Sequence, residues 1–219
     1  MALQLTPTLK GAFLKFEGGL LGLPNIIVFQ FNPETVSRTP SLSQTDLPGT
    51  GEARDPRYVV AFPTESYSLS LRLDATDQLA ASDPVAITSG ILPALSALEL
   101  LMYPVPVTGG LLAIPGDASA FTNPPNLLPV VLFFWGPFRL LPVNVTSLSI
   151  SEVEYDPQLN PTRAEVSVSL QVVTPPTLAP GLMLGAYKYT QGVKEAMAAL
   201  NLANSAAIAS SLSFPIPMP

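Results

Sequence analysis

The sequence predicts a mainly β protein: an antiparallel barrel or sandwich with one packed helix, followed by a C-terminal helix and a Pro-rich arm. Apolar and polar residues alternate in 65–74 and again in 163–173, which is typical of strands that bury one face. Only 91–102 and 187–204 place apolar residues at helical spacing. We therefore expect few helices, the first of them packed on the sheet.

The first strand is expected at 26–31, where β-branched and aromatic residues are followed by turn-forming residues. Asn32 is expected to cap a turn whose first position fits the fixed φ of Pro33. Pro40 is expected to stop the chain a second time. Defined ends matter because a long unpaired edge recruits other chains. The segment is therefore predicted to give the sheet a sharply defined edge.

The two alternating strands each predict a buried apolar face. In the first strand this face comprises Tyr67, Leu69, Leu71 and Leu73. In the second strand it comprises Ala164, Val166, Val168, Leu170 and Val172. Between them, the alternation in 145–155 slips by one residue near Ser151, which predicts a β-bulge that bends the strand. The opposite faces carry Ser, Gln, Arg and Glu, and we expect them to be solvated.

The apolar run 127–143 is interrupted by Pro and Gly residues, which argues against a membrane helix. We interpret it as two buried strands joined by a turn at Gly136-Pro137, with Trp135 as a buried aromatic residue at the end of the first strand. The first eight residues lack a basic segment followed by an apolar core. No secretory signal is therefore predicted.

The composition limits the classes of partner. Of the 219 residues, 47% are hydrophobic and 12% are charged, about half the charged share of an average soluble domain. Charge this sparse suggests surfaces hidden in an assembly, and the alternative is a single domain with a Ser/Thr-rich surface. The net charge is −6 and the ten Lys and Arg residues are scattered. This argues against a nucleic-acid partner.

The residue types that carry most catalysis are missing from the sequence. It contains no His and no Cys, which excludes the commonest general base, a thiolate nucleophile and the commonest zinc ligands. Glu152, Glu154 and Asp156 are the remaining acid–base candidates, and we interpret them as a solvated strand face. No Gly-rich phosphate loop is present. We expect no enzyme activity, no cofactor, no metal site and no small-molecule ligand.

Three fragments occur in order: "VFQFNPETV" (28–36), "SYSLSLRLDATD" (66–77) and a long run (130–173) that includes "FFWGPF" and "LNPTRAEV". Together they resemble the tube-protein family of contractile injection systems, the phage-tail-like machines of bacteria. More narrowly, they resemble the baseplate-proximal member that joins the tube to the spike. The resemblance spans about 9–175. Its signature residues are Phe31, Asn32, Pro33, Leu73, Asp74, Trp135, Gly136, Pro137, Asn160, Pro161 and Arg163.

The resemblance implies that the protein forms a ring, a hexamer, in which strands of neighbouring subunits complete one barrel around a channel. It implies as partners other copies of the chain, tube proteins, the spike or hub protein, and baseplate wedge or sheath-initiator proteins. It also implies assembly in the cytoplasm, within a particle that is membrane-anchored or released. Each fragment by itself also fits ordinary turn chemistry, such as Asn160-Pro161 capping a turn.

The C-terminal part departs from this family, whose baseplate-proximal members often carry a peptidoglycan-binding LysM module. After Pro175-Pro176 the chain has an Ala-rich helix and a Pro-terminated arm, so we divide it into a tube-like domain, 1–175, and a C-terminal segment, 176–219. The helix has an apolar face that is expected to dock on a partner in the baseplate; the alternative is that it folds back on its own sheet. The face comprises Tyr189, Val193, Met197 and Leu200.

Two further expectations concern loops and a rival function. The long loops at 41–56 and 104–129 are weakly patterned, and we expect them to be more mobile in the isolated subunit than in the assembly. The rival function is a β-sandwich that binds glycan or cell wall. It would require exposed aromatic residues, whereas the single Trp lies inside an apolar run.

Overall fold

The computed structural model describes residues 8–16, 25–42, 62–103, 128–178 and 181–212. Within them the chain forms one seven-stranded antiparallel sheet in the order β2-β1-β5-β6-β7-β4-β3. The strands are β1 (Ala12–Phe16), β2 (Asn25–Val28), β3 (Val36–Ser41), β4 (Thr64–Asp74), β5 (Val130–Phe134), β6 (Leu140–Tyr155) and β7 (Pro161–Val172). The helices are α1 (Thr76–Ala80), α2 (Pro84–Ser89), α3 (Leu92–Glu99) and α4 (Leu182–Leu212). The predicted mainly antiparallel β fold is confirmed.

The two alternating segments form β4 and β7, which pair with each other along their length. Their predicted apolar faces are buried, and the residues between them on β4 are exposed. Leu71, for example, is 3% exposed and faces Val166, which is fully buried. The period-two pattern therefore determined both the strands and the side of the sheet that carries the core.

The sheet bends around its apolar face. β4 and β5 are separated by two strands, which in a flat sheet would place them about 14 Å apart. Yet the rings of Tyr67 on β4 and Phe133 on β5 have centroids 5.8 Å apart. Phe13 and Phe29 join the same aromatic cluster. The bend lets inward-pointing side chains from distant strands bury one another, which is how one sheet encloses a core of its own.

The β-bulge predicted near Ser151 is present two residues further along. Residues 147–152 of β6 pair with β7 after one irregularity at Thr146, and a second irregularity leaves Val153 as the extra residue between Glu152 and Glu154. The bulge at Val153 explains the predicted change of phase, because an extra residue moves the following side chains to the other face of the strand. A further shift in register follows between Glu154 and Tyr155.

Three short helices follow β4, where only one was predicted. The expected helix at 91–102 is α3, and it buries Leu95 and Leu98 in the core. α1 and α2 were missed because five or six residues are too few to show helical periodicity. α2 begins at Pro84, and the Asp83 carboxylate caps it by accepting hydrogen bonds from the amides of Val85 and Ala86, at 2.8 and 3.1 Å.

Three expectations about residues 26–40 are wrong. β2 ends at Val28, three residues earlier than predicted, and Asn32 caps no local turn: its side chain bonds to Leu9 and Gly11, before β1. Pro40 does not stop a strand but lies inside β3, paired with Glu65. The reason is that β3 is an edge strand, where a residue without an amide hydrogen is tolerated. β3 does lie at an edge of the sheet, but the predicted stops do not define it.

α4 begins at Leu182, five residues before the predicted start, and its first turns pack on the sheet. Ala186 is 4% exposed, and the Thr190 hydroxyl donates to the Leu140 carbonyl at 2.6 Å and accepts from the Leu140 amide at 3.1 Å. Lys194 pairs with Glu65 on β4. The C-terminal segment predicted at 176–219 is thus attached to the β-domain. The loops predicted at 41–56 and 104–129 and the Pro-rich arm lie largely outside the described residues.

Candidate assembly interface

Two signature residues from distant fragments meet at the end of the sheet where β4 stops. Asp74 and Arg163 are register partners on β4 and β7, and the Arg163 Nε donates to the Asp74 carboxylate at 2.9 Å. The Arg163 Nη1 also donates to Glu154 on β6 at 2.5 Å. Because Asp74 also accepts from the amide and hydroxyl of Thr76, the cluster joins three strands to the start of α1.

Gln30 connects the first fragment to this cluster. Its side-chain amide donates to the Asp74 carbonyl at 2.5 Å, and its side-chain oxygen accepts from the Asp74 amide at 2.9 Å. Gln30 therefore satisfies both backbone groups of Asp74 as a neighbouring strand would. The segment after β2 is in this way fixed beside the end of β4.

The Asp74 contacts predict a loss of stability in acid. Hydrogen bonds from Thr76 and then Arg163 hold the pKa of Asp74 below its usual value, so the unfolded chain binds this proton at a higher pH than the folded one. The contribution is present above about pH 4 and is lost as the pH falls through the folded pKa. Urea unfolding should show that Asp74→Asn costs about 1.5 kcal/mol at pH 7 and much less at pH 3.

Asp77→Asn removes an exposed carboxylate three residues away on α1 and serves as the matched control. If Asp74→Asn and Asp77→Asn changed stability equally at both pH values, the cluster at Asp74 would have no special role in the fold.

The Trp135-Gly136-Pro137 fragment forms the predicted turn between β5 and β6. The Trp135 amide donates to the Arg139 carbonyl at 2.9 Å, and Gly136 has a φ of +76°, which Gly adopts without steric cost. Trp135 is half-buried and lies 6.3 Å from the Phe29 ring. The Trp135 side chain is therefore less buried than predicted, although its ring packs in this aromatic cluster.

Asn160 ends the turn between β6 and β7 and Pro161 begins β7, but the capping residue of this turn is Asp156. Its carboxylate accepts from the amides of Gln158 and Asn160 and from the Asn160 side chain, each at 2.8 Å. The Asn160 side-chain bond lowers the pKa of Asp156. The Pro161 carbonyl accepts from the Ile91 amide at 2.9 Å. This turn therefore also supports the start of α3.

Four strands carry a continuous polar surface on the side away from the core, which we call the hydroxyl face. Directly paired residues form its rows: Asn144, Gln171, Ser66 and Thr39; Ser147, Ser169, Ser68 and Ser37; Ser149, Ser167 and Ser70; Ser151, Glu165 and Arg72. All are exposed except Ser169, which is half-buried. The bulge at Thr146 keeps Asn144 and Ser147 on the same side. The face is uncharged apart from the Arg72–Glu165 pair, 4.0 Å apart.

The hydroxyl face is bounded by two free strand edges. β6 pairs with β5 only through residues 140–143, whereas it pairs with β7 through 143–155. On the other side, β3 pairs only with β4. Among the described parts of the chain, no strand covers the second edge of β6 at 144–155 or that of β3. These edges expose backbone donors and acceptors that can pair with another strand.

The carboxylates considered for acid–base chemistry are not assembled into a site. Glu154 is paired with Arg163, and Asp156 caps its own turn. In the described ranges, no group of three or more His, Cys, Asp or Glu side chains is placed to hold a metal ion. Among the described helices, none has both the length and the apolarity needed to cross a bilayer.

The predicted docking face of α4 lies mostly on its exposed side. Tyr189 is 51% exposed and its hydroxyl donates to the Pro137 carbonyl at 2.7 Å, while Val193 is partly buried. Met197 and Leu200 are 46% and 64% exposed, and every residue from 195 to 202 is exposed. The helix is therefore anchored through Ala186, Thr190 and Lys194, and its residues 195–202 face solvent.

Sequence reasoning missed the residues that complete these contacts. Gln30 and Glu154 act on partners 44 and 9 residues away, and no local pattern predicts such pairs. Asp156 was considered only as an acid–base candidate, although Asp followed by Pro is a known turn signal that could have identified its role. No protein-family model matches the chain, and a search of curated proteins also gave no match.

Proposed function

We propose that the protein is a structural component of a phage-tail-like contractile injection system and forms a ring that joins the inner tube to the spike and baseplate. The observation that carries the proposal is the hydroxyl face with a free strand edge on each side. The signature fragments add to it, because they meet around Asp74 at one end of this face.

The free edges of β6 and β3 border the four-stranded part β6-β7-β4-β3 on its two sides. Two different free edges of this kind favour head-to-tail pairing of copies. If β3 of one copy pairs with residues 144–155 of β6 in the next copy, the four strands of each copy extend into a continuous sheet, and the rotation between copies closes it. Closure removes the exposed edges, which a single copy leaves open. In this arrangement each subunit is a curved sheet around its own core and also contributes four strands to a larger barrel.

The hexamer implied by the resemblance would contain about 24 such strands, more than the 16 to 18 that leave an aqueous channel in porins. The hydroxyl face would line this channel, since the opposite face packs on the core and helices. The proposed partners are tube proteins on one side and spike, hub, wedge or sheath-initiator proteins on the other. Assembly would take place in the cytoplasm, in a particle that is membrane-anchored or released, and the protein would have no catalytic role.

Engineered disulfides test the head-to-tail pairing, because the natural sequence has no Cys. We expect Ser37→Cys combined with Ser149→Cys to give a ladder of covalent oligomers on oxidation that ends at a closed ring. Within one copy the two positions are separated by β4 and β7, about 14 Å, which is too far for an internal disulfide. Ser147→Cys and Ser151→Cys, each paired with Ser37→Cys, cover neighbouring registers.

Ser167→Cys with Ser37→Cys is the matched control, since Ser167 lies on the same face but on β7, an interior strand. This pair should not cross-link. Light scattering of the unmodified protein gives the ring mass. A protein that stays monomeric at high concentration, with no cross-links at any of the three registers, would contradict the proposed ring.

A further inference from the structure

Leu159 has an unusual backbone conformation for an exposed apolar residue. Its φ is +65° and its side chain is 78% exposed. A bulky residue rarely adopts a positive φ, because Cβ then crowds the backbone. Nothing in the described core compensates, since the side chain faces solvent. A strained residue kept in such a place points to a role outside the subunit.

The turn around Leu159 is built to hold this conformation. Asp156 accepts three hydrogen bonds from Gln158 and Asn160. In addition, the Leu159 amide donates to the Asp156 carbonyl at 3.0 Å, and the Asp156 amide donates to the Asn160 carbonyl at 2.9 Å. A turn fixed in this way presents Leu159 with little loss of conformational freedom on binding.

Leu159 belongs to a small apolar surface at the end of the β6–β7 hairpin. Val153 and Tyr155, the bulged residue and the last residue of β6, are 55% and 52% exposed. Both lie at the end of the free edge of β6. We call these three residues the hairpin tip. Exposed apolar groups concentrated beside a free edge are typical of a contact surface rather than of random exposure.

A matching apolar residue lies at the same level on the opposite side of the sheet. Gln30 is hydrogen-bonded to Asp74, Asp74 to Arg163, and Arg163 to Glu154. These four residues form a row across the sheet that runs from the 30–33 segment to the end of β6. Phe31, next to Gln30, is 46% exposed. Head-to-tail pairing of copies would therefore bring Phe31 of one copy to the hairpin tip of the next.

We infer that Leu159 is an anchor of the contact between copies and packs on Phe31 of the neighbouring copy, with Val153 and Tyr155 around it. The occupant of this surface is a second copy of the chain, because Phe31 and the hairpin tip lie at the two ends of the hydrogen-bonded row through Asp74 and Arg163, and the hairpin tip adjoins the free edge of β6. The inference rests on the proposed ring and adds the residues that fix the register between its subunits.

The test uses Leu159→Asn, because Asn tolerates a positive φ while removing the apolar side chain. We expect the melting temperature of the dissociated subunit to stay the same or rise, and association between subunits to weaken about 10-fold or more. Phe31→Ala should weaken association similarly. The double variant should weaken association by less than the product of the two single effects, because both substitutions remove the same contact.

Ser82→Asn is the control. Among the described residues other than Gly, Ser82 is the second one with a positive φ, +55°. This substitution removes no apolar group, so association should not change. If the natural protein forms rings and Leu159→Asn forms them equally well, the anchor is refuted and the proposed function stands. Effects of Leu159→Asn and Phe31→Ala that simply multiply would refute their contact. A natural protein that forms no ring refutes both proposals.

Discussion

Gly90→Ala is expected to destabilise the subunit by about 3 to 5 kcal/mol, one of the largest effects of any single substitution in the chain. Gly90 ends α2 with φ +56° and ψ −129°, a conformation that residues with a Cβ rarely adopt. A Cβ placed there would lie 2.1 Å from the Pro161 carbonyl oxygen. That oxygen accepts the hydrogen bond from the Ile91 amide, so relieving the clash would separate α3 from β7.

Thermal unfolding followed by circular dichroism measures the effect, and we expect a decrease in melting temperature of about 10 °C or more. Gly192→Ala is the matched control: Gly192 lies in α4, and a Cβ there meets nothing within 4 Å. It should stabilise the protein by about 0.5 to 1 kcal/mol through helix propensity. An unchanged melting temperature for Gly90→Ala would show that the close approach of Gly90 to Pro161 does not exist in solution.

Removal of α4 is expected to have the second large effect. A chain that ends after Pro176 loses the buried Ala186, the contacts of Tyr187 with the core, and both hydrogen bonds between Thr190 and Leu140. We expect a loss of about 3 to 5 kcal/mol, from apolar burial and unpaired polar groups together. Urea unfolding and the soluble yield of the shortened subunit measure it.

A chain that ends after Lys194 separates the two roles of this helix. It keeps the packed turns and the Lys194–Glu65 pair but removes Met197 and Leu200 from the predicted docking face. We expect a stable subunit that fails to join its baseplate partners when they are co-expressed. Normal incorporation of this shorter chain would contradict the docking prediction, and a fully stable chain ending after Pro176 would contradict the packing of α4.

The long strands could be predicted from the sequence because their periodicity is local. Buried residues alternate with exposed or half-buried ones from 66 to 73 in β4 and from 163 to 172 in β7, and this pattern determines both the element and its buried side. The short helices α1 and α2 could not be predicted in the same way. Their positions depend on hydrogen bonds to the carboxylates of Asp74 and Asp83, and such a contact gives a weaker signal than a repeated pattern.

The candidate interface was predicted only in part. The signature residues Asp74 and Arg163 were selected from separate fragments, and the fold brings them to 2.9 Å. Gln30 and Glu154, which complete that cluster, were not selected. A polar face was predicted for individual strands only. Its extent across four strands follows from the strand register and from the bulge at Thr146, and the pattern of a single strand contains neither.

The sequence by itself determined the long strands β4 and β7, which of their faces are buried, and that the catalytic residue types His and Cys are missing. These properties follow from composition and from patterns within a dozen residues. Only the tertiary structure decided that β6 has a free edge beside residues 144–155, that Leu159 is held exposed with a positive φ, and that the first turns of α4 pack on their own sheet. The physical reason is that strand order, register and helix docking depend on contacts between residues far apart in the chain, whose energies no local pattern contains.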